Sequence, residues 1–330
     1  MATKGGLNMN RILRAAAAAA LLLILLPLQA QAEQLLIPVG RVIGLQLQSG
    51  SVTVAAFDDS LGAAAREAGI RIGDEILKID DRAVASAQDV RTALESSGDY
   101  VSLTLRRGGK LRTVPVQTVR SDGIPRLGVY LRQGISGIGT VTWYDPETGL
   151  FGTLGHGVSD GKGTLLKMTA GHAYDAQVIS IDKGKRGEPG QLKGSADPGR
   201  VCGTLTRNTA QGVFGKAFPG WTGEALPLAD YEDIRTGSAA IISTVDDNGP
   251  REYSVEILKI YPQERGDCRN LLIRVTDPTL LKTTGGIVQG MSGSPIIQDG
   301  KIIGAVTHVL VNSPDTGYGI FIENMLDAAG

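Results

Sequence analysis

A serine set between glycines near the C-terminus carries the strongest chemical signal in this sequence. Residues 290–295 read Gly-Met-Ser-Gly-Ser-Pro, after an apolar approach at 285–288. Glycines on a tight turn leave Ser292 with little steric cover and let the N–H groups of Gly290 and Ser292 converge on one point. The negative oxygen of a tetrahedral intermediate needs such donors. The segment therefore predicts a nucleophilic Ser292 with an oxyanion hole at Gly290 and Ser292, the alternative being a plain turn between strands.

A serine nucleophile needs a base, and the chain has three histidines. His156 lies between two glycines in Leu-Gly-His-Gly-Val-Ser, so its sequence neighbours cannot cover it. His308 lies in an apolar run, which favours a structural role or a place in the wall of the site, and His172 is the alternative base. The order of histidine before serine is that of trypsin-like peptidases, and we predict His156 as the base.

A third group should hold the imidazole in the right tautomer. Asp277 follows a β-like run and precedes a proline, which places it at a rigid corner, and it is our choice. In trypsin-like enzymes the aspartate comes nearer the middle of the interval between histidine and serine. Four other aspartates fit that layout better: Asp182, Asp197, Asp230 and Asp233.

The segment at 290–295 resembles the Gly-[Asp/Asn]-Ser-Gly-[Gly/Ser]-Pro signature of trypsin-like peptidases. By this alignment the nucleophile is Ser292 and not Ser294. The residue before the serine is Met291 where those enzymes commonly have aspartate. That aspartate pairs with a new N-terminus after zymogen cleavage, so Met291 argues against this route of activation.

Residues 36–120 read as a small module that precedes the catalytic segments. The run 69–80, Gly-Ile-Arg-Ile-Gly-Asp-Glu-Ile-Leu-Lys-Ile-Asp, predicts a strand over Glu75–Ile79, and Ser86 with Asp89 predicts a capped helix. The alternation of Val101, Leu103 and Leu105 with polar residues predicts a half-buried strand.

This order of elements resembles bacterial PDZ domains, which add an extended peptide to a sheet edge and often bind its terminal carboxylate in a loop of N–H groups. The candidate loop is at 40–45, with these residues: Gly40, Val42, Ile43, Gly44 and Leu45. The alternative is that its glycines only shape a turn. Residues 121–127 are polar with glycine and proline and predict a linker.

Residues 128–330 contain many short β-like runs separated by turn residues, as at 139–143, 176–181, 239–244 and 254–258. This pattern favours closed or sandwiched antiparallel sheets. The predicted fold class is mostly β, with an α+β PDZ domain followed by a trypsin-like double β-barrel peptidase domain.

The N-terminus predicts export. A basic start precedes an apolar run at 15–28 and Ala-Gln-Ala at 30–32, so residues 1–32 are a signal peptide or, alternatively, an uncleaved membrane anchor.

The 33 basic and 34 acidic residues balance to a net charge of −1, which offers no reason to expect nucleic acid as a partner. Cys202 and Cys268 could pair in an exported protein. No segment has metal-ligand spacing, and we expect no metal and no cofactor.

Taken together, the chain resembles the SpoIVB peptidase family of stage IV sporulation. The resemblance is carried by the export segment, the PDZ-like order, the stretches around His156 and Ser292, and the segments that start at Gly304 and Gly317. It implies that Ser292 and His156 are catalytic, with Asp277 at the position of the family's aspartate.

The resemblance also implies a role. Such a protein is exported across the forespore membrane into the intermembrane space, cleaves itself in trans, and then cleaves a membrane-bound inhibitor. That cut releases an intramembrane metalloprotease and leads to activation of sigma-K. Two alternatives are an HtrA-like envelope quality-control protease, in which the PDZ domain usually follows the peptidase, and an inactive PDZ scaffold, against which the presence of Gly290, His156 and Ser292 together counts.

Overall fold

The computed structural model of this chain describes residues 34–161, 163–264 and 267–330, most of which are in β-strands. The predicted signal peptide or anchor at 1–32 lies outside the described residues. Among the described helices, none has the length and apolar character needed to cross a membrane.

The first two strands belong to the barrel of the peptidase and not to the PDZ-like domain. Strand β1 spans Leu35–Pro38 and strand β2 spans Val42–Ser49. One edge of β2 pairs with residues 135–140 and the other with residues 168–175. The predicted start of the PDZ domain at residue 36 is therefore wrong, because both hydrogen-bonding edges of β2 are used within the peptidase sheet.

The chain then leaves this sheet and forms the PDZ-like domain over residues 52–132. Its main sheet has five strands in the order β10-β3-β4-β6-β7, and the short strand β5 pairs with β4. Strands β8 and β9 pair with each other as a separate hairpin. The strands are β3 (Val52–Phe57), β4 (Glu75–Ile79), β5 (Arg82–Ala83), β6 (Tyr100–Arg107), β7 (Lys110–Gln117), β8 (Val119–Ser121), β9 (Ile124–Arg126) and β10 (Val129–Arg132). The helices are α1 (Ala63–Glu67) and α2 (Ala87–Glu95).

Local sequence accounts for these elements. Val101, Leu103 and Leu105 alternate along β6 and are at most 2% exposed, which confirms the predicted half-buried strand. Helix α2 begins at the predicted capping box, in which the Ser86 hydroxyl accepts from the Asp89 N–H and the Asp89 carboxylate accepts from the Ser86 N–H. These elements close a core that is separate from those of the barrels.

The predicted linker at 121–127 is instead part of this domain. It contains β9, and Leu127 is only 3% exposed in the PDZ-like core. Strand β10 pairs with β3, so the domain extends to Arg132 and the predicted boundary at residue 128 is also wrong. The PDZ-like domain is thus an insertion between two neighbouring strands of the peptidase sheet.

The first barrel resumes immediately after the insertion. Its sheet has the order β12-β15-β14-β13-β2-β11-β1-β16, and a further pairing of β11 with β12 closes six of these strands into a ring. The strands that follow the insertion are β11 (Ile135–Tyr144), β12 (Leu150–Thr153), β13 (Met168–Asp182), β14 (Gln191–Thr209), β15 (Gly212–Ala217) and β16 (Leu226–Pro227).

The second barrel follows a short 3₁₀ segment at Tyr231–Asp233. It is a closed ring in the order β17-β18-β19-β22-β21-β20. The strands are β17 (Gly237–Ser243), β18 (Arg251–Ile260), β19 (Leu271–Val275), β20 (Pro295–Gln298), β21 (Lys301–Leu310) and β22 (Ser313–Phe321), and the helices are α3 (Pro278–Thr284) and α4 (Ile322–Ala329). Two closed antiparallel barrels and a PDZ-like domain confirm the predicted fold class.

Candidate active site

The loop that carries Ser292 lies between helix α3 and strand β20, against strand β11 of the first barrel. Gly290 and Gly293 both have positive φ, 100° and 96°. A Cβ on Gly293 would lie 2.0 Å from the carbonyl oxygen of Thr140, so only glycine permits this approach. The predicted reason for the glycines therefore agrees with the geometry of the loop.

The two serines of this loop have different surroundings. Ser294 is fully buried, and its hydroxyl donates to the Met291 carbonyl at 2.8 Å and contacts the Ser243 hydroxyl at 3.0 Å. Ser292 is only partly buried and lines a cavity. Met291 is also fully buried, in the core of the second barrel, where an aspartate would be an unpaired charge. Ser294 and Met291 fix the loop, and Ser292 is the serine it presents.

Thr140 on β11 holds both sides of the nucleophile loop. Its hydroxyl donates to the Gly290 carbonyl at 2.8 Å, and its N–H donates to the Ser292 carbonyl at 3.1 Å. With these carbonyls turned toward β11, the N–H groups of Gly290 and Ser292 have no hydrogen-bond partner within the described part of the chain. Two unpaired N–H groups beside a serine hydroxyl form the donor set that an oxyanion requires.

His156 follows a tight turn at the end of β12. Leu154 and Gly155 have φ values of 70° and 67°, and a Cβ on Gly155 would lie 2.9 Å from the Thr307 side chain. The turn thus brings His156 close to β21. The Nδ1 atom lies 3.1 Å from the Gly157 carbonyl oxygen, which can only accept, so the neutral ring carries its proton on Nδ1 and leaves Nε2 as the base. Burial lowers the pKa of His156, while the Gly157 carbonyl works to raise it.

His308 forms part of the same site, in agreement with the predicted alternative that it lies in the wall of the active site. Its ring centroid lies 5.1 Å from that of His156, with the planes tilted by 38°. Burial first and the neighbouring His156 second lower the pKa of His308 to about 4. At neutral pH His308 is an uncharged surface against which the His156 ring packs.

One cavity of about 490 Å³ joins these groups. Ser292 and His156 both line it, together with Thr307 and His308. The Ser292 hydroxyl donates to the Thr307 carbonyl at 2.7 Å, so its single proton is not directed at His156 in this arrangement. Catalytic hydrogen bonds are often unmade until substrate binds.

The structure does not bring Asp277 to His156. Asp277 is the N-cap of helix α3, where its carboxylate accepts from the Leu280 N–H at 2.8 Å. In the described residues it makes no hydrogen bond or ion pair to either histidine of the site. The Asp-Pro pair that was interpreted as a rigid corner is a helix start, and the role of Asp277 as the partner of His156 stays a prediction.

The four alternative aspartates are engaged elsewhere. Asp182 forms an ion pair with Lys193, and Asp197 accepts from the Gly199 N–H. Asp230 and Asp233 lie at the 3₁₀ segment before the second barrel. In the described structure, the Gly157 carbonyl is the group that contacts Nδ1 of His156, and no side-chain pattern in a sequence could reveal a backbone partner of this kind.

The other candidate groups lie apart from this cavity. His172, the alternative base, is in β13 beside Tyr174. Cys202 and Cys268 are buried and unpaired, and burial is the main cause that raises the pKa of each thiol to about 11. No group of three or more histidine, cysteine or acidic side chains that could hold a metal ion occurs in the described ranges.

The predicted peptide-binding loop of the PDZ domain is wrong. Val42, Ile43, Gly44 and Leu45 are in β2, with Gly44 paired to residue 138 on one side and residue 174 on the other. Gly40 has φ 64° and packs on Ile242 of the second barrel. Both strand edges at 42–45 are occupied, so no peptide can add there, and Leu45 lines the cavity of Ser292 instead.

The groove of the PDZ-like domain lies elsewhere, between helix α2 and strand β10. A cavity of about 710 Å³ is lined there by Val90 and Leu94 of α2 and by residues 124–131. Gly128 turns the chain into β10 with φ 67°, and a Cβ on it would lie 2.1 Å from the Leu61 carbonyl oxygen. Strand β10 ends the sheet, so its outer edge is unpaired in the described structure.

Comparisons with known proteins identify the same two parts of the chain, with bounds that differ from those of the structure by several residues. Residues 124–326, more than half of the chain, match the SpoIVB peptidase S55 family, and residues 42–118 match the PDZ domain family. No curated protein matches the chain.

Among solved structures, the PDZ domain of the SdrC-like protein from Listeria monocytogenes is 27% identical, over 25% of this chain and 87% of its own, with a TM-score of 0.22. The active form of the Rv3671c protease from M. tuberculosis is 18% identical, over 60% of this chain and 75% of its own, with a TM-score of 0.32. The HtrA-type protease AlgW with a decapeptide is 16% identical, over 63% of this chain and 57% of its own, with a TM-score of 0.35.

The match over 124–326 contains the turn of His156, the loop of Ser292 and the strand of His308. The double barrel holds these three residues around one cavity. The chain belongs to the SpoIVB peptidase S55 family, and it is a serine endopeptidase.

Proposed function

We propose that Ser292 is the nucleophile of this peptidase and His156 its general base. The observation that carries the proposal is that both line one cavity beside the unpaired N–H groups of Gly290 and Ser292. Nε2 of His156 accepts the Ser292 proton as the hydroxyl attacks the scissile carbonyl, and later returns that proton to the leaving amine. The two N–H groups stabilise the negative oxygen of the tetrahedral intermediate.

Burial of His156 lowers the pKa of its imidazole, which supports its role as the general base. Its lowered pKa keeps the imidazole neutral, and thus able to accept a proton, to a lower pH than a free histidine. The Gly157 carbonyl holds the Nδ1 tautomer and orients the ring, which is the work an aspartate does in the usual triad.

For the biological role, we propose an exported regulatory endopeptidase of endospore formation that cleaves itself and then a membrane-bound inhibitor. Family membership supports this role, and the cut would release an intramembrane metalloprotease and lead to activation of sigma-K. In the producing cell, replacing the chain by its Ser292→Ala variant should abolish sigma-K-dependent expression, and normal expression in that strain would refute the role.

The PDZ-like domain supplies a second peptide site in this proposal. The free edge of β10 can accept a strand, and the glycine turn at Gly128 can direct N–H groups at a terminal carboxylate. Strand β10 is joined to β11 by only Gln133 and Gly134, and β11 carries Thr140, which holds the nucleophile loop. The groove is thereby connected along one strand to the catalytic loop.

The test of the catalytic assignment is self-cleavage of the purified chain in matched pairs of variants. Ser292→Ala and His156→Ala should abolish the fragments that the wild type produces, leaving at most the residual about 10³–10⁴-fold over water that binding and the oxyanion hole provide. Ser180→Ala and His172→Ala are the controls, since each removes the same kind of side chain on β13, outside the cavity, and both should still cleave. Equal fragments from all four variants would show that another nucleophile acts.

A further inference from the structure

The cavity beside Ser292 is lined by aliphatic side chains in addition to the catalytic residues Ser292 and His156. One wall is the segment that precedes the nucleophile, with Ile287 and Val288 at 2% and 1% exposure. The end of β21 forms another part of the lining, where Val309 follows His308 and is partly buried. Ile138 of β11 also lines the cavity.

No side chain of Asp, Glu, Lys or Arg is among the described residues that line this cavity. The lining is dominated by leucine, isoleucine and valine, and its two histidines, His156 and His308, both have a lowered pKa and are neutral. A charged substrate side chain would have to enter without a partner, which is strongly unfavourable. An aliphatic side chain would leave water for an apolar surface, which is favourable.

Both catalytic residues line the cavity, and the aliphatic residues that adjoin the nucleophile indicate which substrate residue they contact. The leaving amine must face His156, which returns a proton to it. Ile287 and Val288 come shortly before Ser292 in the chain, and Val309 follows Thr307, whose carbonyl accepts the Ser292 hydroxyl proton. These neighbours of the nucleophile favour the residue whose carbonyl becomes the acyl group as the one whose side chain enters this space.

We propose that this peptidase cleaves after a bulky aliphatic residue, with Val309 and Ile138 as residues that determine specificity. This proposal rests on the assignment of Ser292 as the nucleophile. The neutral, aliphatic walls exclude the basic residues that an acidic pocket would select, and equally the acidic ones.

The test uses the full chain and peptides that differ only at the residue before the cleaved bond: Leu, Val, Ala, Asp or Lys. The kcat/KM for the Leu and Val peptides should exceed that for Ala by about 10-fold or more, since single methylene differences in apolar pockets give roughly 10–200-fold. The Asp and Lys peptides should be cleaved at least about 100-fold more slowly than Leu, because their charges would lie unpaired.

Two variants of Val309 test the location of the pocket. Val309→Asp should raise the ratio of kcat/KM for the Lys peptide to that for the Leu peptide by about 100-fold or more, because a carboxylate then faces the substrate. Val309→Phe fills the space and should move the preference from Leu toward Ala. Ile179→Asp is the matched control, because Ile179 is 70% exposed on β13 and its substitution should leave the preference unchanged.

The outcomes separate this proposal from the catalytic one. If the Ser292→Ala variant cleaves these peptides as fast as the wild type, the assignment of Ser292 fails. If it cleaves the Leu, Asp and Lys peptides at similar rates, the specificity proposal alone is overturned. A preference for Leu that both folded Val309 variants retain would place the specificity site elsewhere and would also overturn it.

Discussion

Replacing Thr140 by valine tests how the first barrel controls the nucleophile loop. The fully buried Thr140 hydroxyl donates to the Gly290 carbonyl at 2.8 Å, and valine keeps the branched shape while removing that donor. The Gly290 carbonyl then has no partner from β11 and can turn away. Since the Gly290 N–H is one of the two oxyanion donors, its direction depends on how this loop is held.

The size of the effect follows from the cost of an unpaired buried acceptor, about 1–3 kcal/mol. If that cost falls on the transition state, at 1.36 kcal/mol for each factor of ten, kcat should decrease by roughly 5–150-fold. This is below the about 10²–10³-fold of losing an oxyanion donor outright, because the Gly290 N–H remains in the chain. KM should change little, because the oxyanion forms only after substrate has bound.

The matched control is Thr142→Val on the same strand and the same face. Thr142 is also fully buried, but its hydroxyl has no hydrogen-bond partner in the described structure. Removing it should leave kcat unchanged and should not lower thermal stability. Initial rates on the leucine peptide, with thermal unfolding of each variant, measure both quantities.

Equal kcat values for Thr140→Val and wild type, with the variant folded, would refute the argument that Thr140 positions the loop. An equal loss of kcat in Thr142→Val would also refute it, since any substitution in this part of β11 would then have the same effect. A loss of stability without a change in kcat would make Thr140 a structural residue only.

Two further predictions concern the residues that the sequence and the structure place differently. Asp277→Ser retains a good helix cap and should keep both stability and activity. Asp277→Ala should lower the free energy of unfolding by about 1 kcal/mol and leave kcat nearly unchanged. A loss of about 10⁴-fold in kcat for the folded serine variant would instead identify Asp277 as the partner of His156. In a Ser292→Ala background, a short labelled peptide with a free C-terminal carboxylate should bind the PDZ-like groove as measured by fluorescence anisotropy, and more weakly when amidated. Gly128→Val should abolish this binding because a Cβ there collides with a backbone carbonyl, and unchanged binding in that variant would place the peptide site elsewhere.

Much of the local structure is encoded locally and was predictable. The alternation in β6 and the capping box of α2 each depend on residues within a few positions of one another. The Ser292 loop and the His156 turn were predictable for the same reason. Glycines at fixed offsets set the backbone there, whatever the rest of the chain does.

The partners of the strands were not predictable in the same way. The glycines and apolar residues at 40–45 fit a PDZ loop and a barrel strand equally well, and only pairing with residues 135–140 and 168–175 decides between them. The same holds for residues 121–127, predicted as a polar linker, and for residues 128–132, predicted as part of the peptidase domain. These residues complete the PDZ-like domain, and residues 129–132 do so through pairing with β3. Strand pairing joins residues far apart in the chain, so a local pattern leaves it open.

By itself, then, the sequence determined the class of chemistry, the nucleophile and base that we propose, and the mostly β character of the chain. Only the tertiary structure decided that the PDZ-like domain is inserted within the first barrel and that Asp277 caps a helix. It also decided that His308 packs against His156 and that the cavity beside Ser292 is aliphatic. The physical reason is that the side chains around a site come from several strands, and closing the two barrels is what brings them together.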